Sequence, residues 1–142
     1  MIKRSFALTA ILSLLASPLF AVDMSREIDA ATATLMPKVI EWRRHLHQYP
    51  ELSNHEVKTA KFVEEHLRRL GLEVRTGIAK TGVVGILKGT QPGPVIGLRA
   101  DMDGLPVTER NSLPFASKET AVFNGQKVGV MHACGHDTHV AM

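Results

Sequence analysis

The stretch Val95-Ile-Gly-Leu-Arg-Ala-Asp-Met-Asp103 begins with an apolar run that does not alternate and ends in a pair of acids. A non-alternating run bounded by turn residues is the pattern of a strand covered on both faces, so helices are expected to pack over a sheet. The fold class read from it is α/β, in layers. Upstream, residues 72–75 and 83–88 are further β-rich runs, and residues 89–94 form a turn before the third. Downstream, Asn124-Gly125 separates Ala121-Val122-Phe123 from Gln126-Lys127-Val128. That dipeptide tolerates the positive φ angles of a tight turn and predicts a hairpin.

Two helices are expected before the strands. Pro37 is placed to open the first at its N-terminal turn, and Val39, Trp42 and Leu46 carry an apolar stripe until Tyr49-Pro50 ends it. In the second, Ser53 and Glu56 have capping-box spacing, Val57, Ala60, Val63, Leu67 and Leu70 share one face, and Gly71 supplies the stop. Arg68 and Arg69 in its last turn favour the helix dipole and read as solvated charges. His45, His47, His55 and His66 have no matching constellation nearby, so packing or surface roles are expected of them. His45 and His47 are two apart on a helix and point in different directions.

The 142 residues suffice for one ordinary soluble domain, without an internal repeat or an interdomain linker. Lys and Arg number 17 against 14 Asp and Glu, with no long run of one sign, so there is no electrostatic case for a nucleic-acid partner. Residues 1–21 stand apart: Lys3 and Arg4, a mostly apolar stretch over 6–20, then Ala21. This reads as a secretory signal peptide, which leaves residues 22–142 as an exported chain, periplasmic or secreted. The stretch is interrupted by Pro18 and is shorter than the roughly 18 residues of a spanning helix, so no stable membrane span is expected. Without it the formal charge falls from +3 to +1, because Lys3 and Arg4 are its only charges. Export leads to an oxidising compartment, yet Cys134 is the sole cysteine, so no internal disulfide forms and no second thiol resolves an oxidised one.

The chemistry concentrates in two places. Asp101 and Asp103 alternate around Met102 and share a face in an extended backbone, where they can hold a neighbouring histidine, position a base, or simply form an acidic turn. In the second, Cys134 and His136 flank Gly135, a spacing that can turn sulfur and imidazole toward one ion. Soft sulfur with imidazole suits zinc or a similar transition metal, although the pair is half of a tetrahedral site. A nucleophilic Cys-His dyad is the competing reading. The glycines at 82, 85 and 89 lack the Gly-Lys-Ser/Thr ending of a phosphate loop and read as strand and turn glycines.

Four segments in order carry a resemblance: Trp42-Arg-Arg-His-Leu-His47 with Tyr49-Pro-Glu-Leu52, Arg99-Ala-Asp-Met-Asp-Gly-Leu-Pro106, Leu113-Pro-Phe-Ala-Ser117, and Met131-His-Ala-Cys-Gly-His-Asp-Thr-His-Val-Ala-Met142. Over residues 38–142 the chain resembles the metal-dependent amidohydrolase family of bacterial aminoacylases, hippurate hydrolases and indoleacetyl-amino-acid hydrolases. The resemblance implies a layered α/β zinc-peptidase-like catalytic domain, of which this is an incomplete N-terminal portion. It implies Cys134 and His136 as metal ligands, and Asp101 and Asp103 as the aspartates that support the site. His132, Asp137 and His139 take supporting or packing roles in that scheme. The resemblance also implies a divalent transition metal, zinc or manganese, as cofactor and a small N-acyl amino acid, hydrolysed at its amide bond, as substrate. The metal would polarise the carbonyl and activate water while a glutamate takes the proton.

The family also implies a downstream Glu-Glu segment, further histidine ligands and a smaller inserted domain, and none of these is found in the sequence. The expectation is therefore that the 142-residue chain is inactive alone and that a homodimer belongs only to a full-length form. Asp137-Thr138 could cap a helix, but three residues are expected to be too few to complete one. A different class of reading, an exported non-catalytic module that binds metal or docks a partner, predicts a stable monomer with tight metal binding.

Overall fold

The computed structural model describes residues 23–142, so the signal-peptide reading of residues 1–21 lies outside the described residues. Helix α1 spans Ser25–Gln48, α2 Val57–Arg69 and α3 His136–Ala141; the strands are β1 Glu73–Ile78, β2 Gly82–Ile86, β3 Thr120–Phe123 and β4 Gln126–Gly129. None of the helices among these residues is long and apolar enough to cross a membrane.

Helix α1 runs through Pro37 instead of starting there. The proline loses its own bond to the preceding turn and crowds the carbonyl four residues back, a cost that the good helix formers Ala30, Ala31, Ala33, Leu35 and Met36 before it help to offset. Its N-terminal half is exposed, and its buried residues, Leu46 and His47, sit in the last turn. Pro50 biases Tyr49 out of the helical region (φ −125°, ψ 53°), which ends α1 where expected.

Helix α2 is capped by a different residue from the one expected. Ser53 makes no cap; the chain turns at Asn54 (φ 65°), Glu56 occupies the cap position, and no capping-box bond forms. The free N–H groups of Lys58 and Thr59 donate to the Glu51 carboxylate at 3.2 and 2.9 Å, and the Thr59 hydroxyl donates to it at 3.0 Å. Glu56 turns away and accepts from the Thr81 hydroxyl at 2.6 Å. At the other end Gly71 (φ 79°) stops the helix, with the N–H groups of Gly71 and Leu72 bonded back to Arg68 and Leu67. Leu67 lies over Gly85, which seats the helix on the β1–β2 hairpin, while Val57 and Leu70 at the ends of the expected stripe are exposed. The α1 face of α2 carries aromatic contacts, Trp42 edge-on to His66 at 4.6 Å and His45 stacked on Phe62 at 5.0 Å.

The strands form two separate antiparallel pairs, β1 with β2 and β3 with β4. The Asn124-Gly125 hairpin forms as expected, with φ of 50° and 77° at its two turn residues. Residues 95–100, by contrast, form no strand: Val95, Ile96 and Leu98 are 99, 81 and 97% exposed. A run written for cover on both faces needs neighbours on both faces, and none of the described residues supplies them. The fold is mixed α/β as expected, with helix α2 over a hairpin, and the strands of the described residues lie in two separate pairs.

The segment after that run is stitched into place. The Gly104 N–H donates to the Glu51 carbonyl at 2.7 Å, and Leu105 and Met131 exchange both backbone bonds. Gly104 has to be glycine, because a Cβ there would lie 2.9 Å from Pro50 Cβ and 3.1 Å from Val130 Cγ1. Around this seam lies the small apolar core of Leu46, Leu52, Val130 and Ala141.

Candidate metal centre

The seam brings the two chemical segments together. Asp103, just before the pinned Gly104, places its Oδ1 2.9 Å from His136 Nδ1, and its carbonyl oxygen lies 3.1 Å from the same nitrogen. An acceptor on Nδ1 fixes that nitrogen as the one carrying the proton and leaves Nε2 as the lone-pair donor. Asp101 does not join them. Its Oδ1 accepts from Arg99 Nε and Nη2 at 3.0 and 2.7 Å in a local, exposed pair.

Cys134 lies in the turn before α3 with its thiol exposed. Gly135 occupies the helix cap with φ 80°, a left-handed conformation that costs other residues, and reverses the chain between cysteine and histidine. Contrary to expectation, the last residues do make a helix, of six residues. Its own propensity is insufficient at that length, and tertiary contact supplies the rest. Asp137, 1% exposed, is gripped from α1 by Arg43 Nε at 2.8 Å and His47 Nδ1 at 2.8 Å.

His47 is thus no surface histidine. Its Nε2 meets Glu109 Oε1 at 2.9 Å, and Phe115 stands edge-on to its ring at 5.8 Å with Arg43 and Arg44 over the other ring's face. Glu109 also accepts from the Ser117 N–H and from Asn111. Burial pushes the Glu109 carboxyl up, but the bonds from His47, Ser117 and Asn111 outweigh it and hold the group below its ordinary value. His132 is buried close by, with both ring nitrogens, like Asp137 Oδ1, lacking a hydrogen-bond partner among the described residues. Burial lowers its imidazole below the usual range, with His47 and His136 adding to the shift against Asp137 and Asp103. The roles of His47, Glu109 and Arg43 escape a reading by local spacing, because the partners are 62 and 90 residues apart in sequence.

The donor chemistry suits a divalent ion in part. A thiol accessible to solvent and an imidazole oriented by a carboxylate are the donors zinc takes, and the carboxylate–histidine pair is the usual arrangement behind such a ligand. Among the described residues no group of three or more His, Cys, Asp or Glu side chains is arranged to hold an ion, so Cys134 and His136 stand as two donors.

Comparison with known proteins places these residues. The model of Peptidase family M20/M25/M40 matches residues 97–142. Thermostable carboxypeptidase 1 of Saccharolobus solfataricus is 53% identical over 105 residues, 73% of this chain and 25% of that protein. The N-acyl-L-amino acid amidohydrolase of Geobacillus stearothermophilus is 49% identical over 116 residues, 82% of this chain and 29% of its own length. The crystal structure of a Bacillus subtilis dinuclear metal binding peptidase from the M20 family superposes with a TM-score of 0.66 at 44% identity, over 77% of this chain and 29% of that one. The chain therefore spans between a quarter and a third of the length of these relatives.

Proposed function

We propose, on the premise that this chain is related to the M20 family of metal-dependent peptidases and amidohydrolases, that it carries part of the metal centre of an enzyme that hydrolyses the amide bond of small N-acyl amino acids. The observation that carries the reading is the Asp103–His136 bond, which leaves Nε2 of the histidine free two residues from an exposed cysteine. Cys134 and His136 would hold the ion, zinc or manganese, and Asp103 would orient the imidazole. Bound there, a divalent ion supplies Lewis acidity for the carbonyl and for the attacking water. Asp101, tied to Arg99, stands outside this arrangement. Two donors fall short of the three or four protein ligands of a zinc site, and the 142-residue polypeptide is expected to be inactive by itself.

The test is metal content and N-acyl amino acid hydrolysis of the purified 142-residue chain, beside its Cys134→Ser variant. Weak zinc or manganese binding that is lost in the variant, without turnover, supports the reading; robust metal-dependent turnover overturns the inactivity, and equal metal in both overturns the ligation. Tight binding by a stable monomer would favour the non-catalytic module. We also propose export, on the strength of Lys3, Arg4 and the apolar residues after them. N-terminal sequencing of the protein from its source is expected to begin near residue 22, and an intact Met1 would overturn it.

A further inference from the structure

His47 has no place in ligation or in hydrolysis, yet both of its ring nitrogens face buried carboxylates, Nδ1 to Asp137 at 2.8 Å and Nε2 to Glu109 at 2.9 Å. All three side chains are nearly sealed from solvent, at 6, 1 and 1% exposure. A histidine needed only to fill space would not require two buried charged partners. The two sides of the ring also do different things. Glu109 is pinned by Ser117 and Asn111 and anchors the ring; Asp137 is the residue next to His136, and α3 is too short to set its own direction.

Resting on the metal reading above, we propose that His47 is a positioning residue: anchored through Nε2, it holds Asp137 through Nδ1 and so fixes the direction in which the first turn of α3 presents His136 beside Cys134. Arg43 reaches the same Asp137 oxygen from one turn earlier on α1 and neutralises it, while the ring sets the angle. The contact that acts on α3 is the one to Asp137, so the Nδ1 side carries the larger share of the effect at the metal centre and the Glu109 anchor the smaller.

That asymmetry is testable, because an asparagine amide nitrogen stands near the place of Nδ1 and a glutamine amide nitrogen near that of Nε2. The full 142-residue chain is titrated with Co2+, following the thiolate-to-cobalt charge-transfer band, with Cys134→Ser as the blank. His47→Gln is expected to lose about tenfold or more in cobalt affinity, and His47→Asn to stay within about threefold, at comparable resistance to denaturant. Equal losses in the two variants, or losses that follow their stabilities, would overturn the proposal. Should neither variant fold, ring NMR of the unsubstituted chain decides: a hydrogen-bonded Nδ1–H resonance of His47 is expected before any metal is added, and its appearance only with metal overturns the positioning role. A cobalt band that does not depend on Cys134 overturns the metal reading itself. A Cys134-dependent band with His47→Gln unchanged overturns the positioning role alone.

Discussion

Asp101 and Asp103 are the same residue type two positions apart in one short segment, and their partners separate them. Asp103 sits against His136 and Asp101 against Arg99. Asp103→Ala is therefore expected to weaken zinc binding by about 10–100-fold, as removal of a carboxylate behind a ligating imidazole does, with Asp101→Ala changing it by less than about threefold. Competition against a chromogenic chelator measures both. Glu109 gives a second residue-level expectation. Its carboxyl is held below its ordinary value, so its contribution to stability is present above the unfolded-state value of 4.5 and is lost as pH falls through the lower folded value. Denaturant unfolding should show stability declining on that acid limb, and Glu109→Gln should flatten the limb while lowering stability at neutral pH. An unchanged slope would remove Glu109 from the account.

At the scale of elements, α2 shows what short-range spacing can and cannot report. Ser53 and Glu56 are correctly spaced for a capping box, but spacing says nothing about which acid the preceding loop delivers to the free N–H groups. Glu51→Ala is expected to cost about 0.5–2 kcal/mol and Ser53→Ala close to nothing, by urea unfolding. The Asn124-Gly125 hairpin and the Gly71 stop were legible because their determinants are a dipeptide and a single backbone angle. Helix α3 was not, since what stabilises it is Asp137 against Arg43 and His47, contacts that no window of sequence contains. For the same reason the Cys134-Gly135-His136 motif was readable as a donor pair, whereas the Glu109–His47–Asp137 support behind it was not. Gly135 tests the local part of that motif. A Cβ there meets nothing within 4 Å, so Gly135→Ala should cost only the left-handed backbone, about 1–2 kcal/mol in thermal unfolding.

Over the whole molecule, the apolar interior is small and much apolar surface lies outside it. Residues 95–100 have the composition of a strand, but among the described residues nothing covers Val95, Ile96 or Leu98, and Leu87, nearby in sequence, is 82% exposed. Exposed runs of this kind pair with other chains. The 142-residue chain is expected to self-associate at micromolar concentration, and Leu98→Glu to reduce that association in sedimentation without shifting the unfolding midpoint. The grip of α1 on Asp137 has a consequence in time. The two ends of that contact are 90 residues apart, and at synthesis rates of about 5–20 residues per second the first helix exists for on the order of 5–20 s before its partner is made. Through that interval Arg43 and His47 are solvated and uncommitted, and the cysteine and histidine have not been translated. On the proposed metal reading, loading follows the docking of α3 on α1, and that part of the order of assembly is set by where the ribosome is on the message.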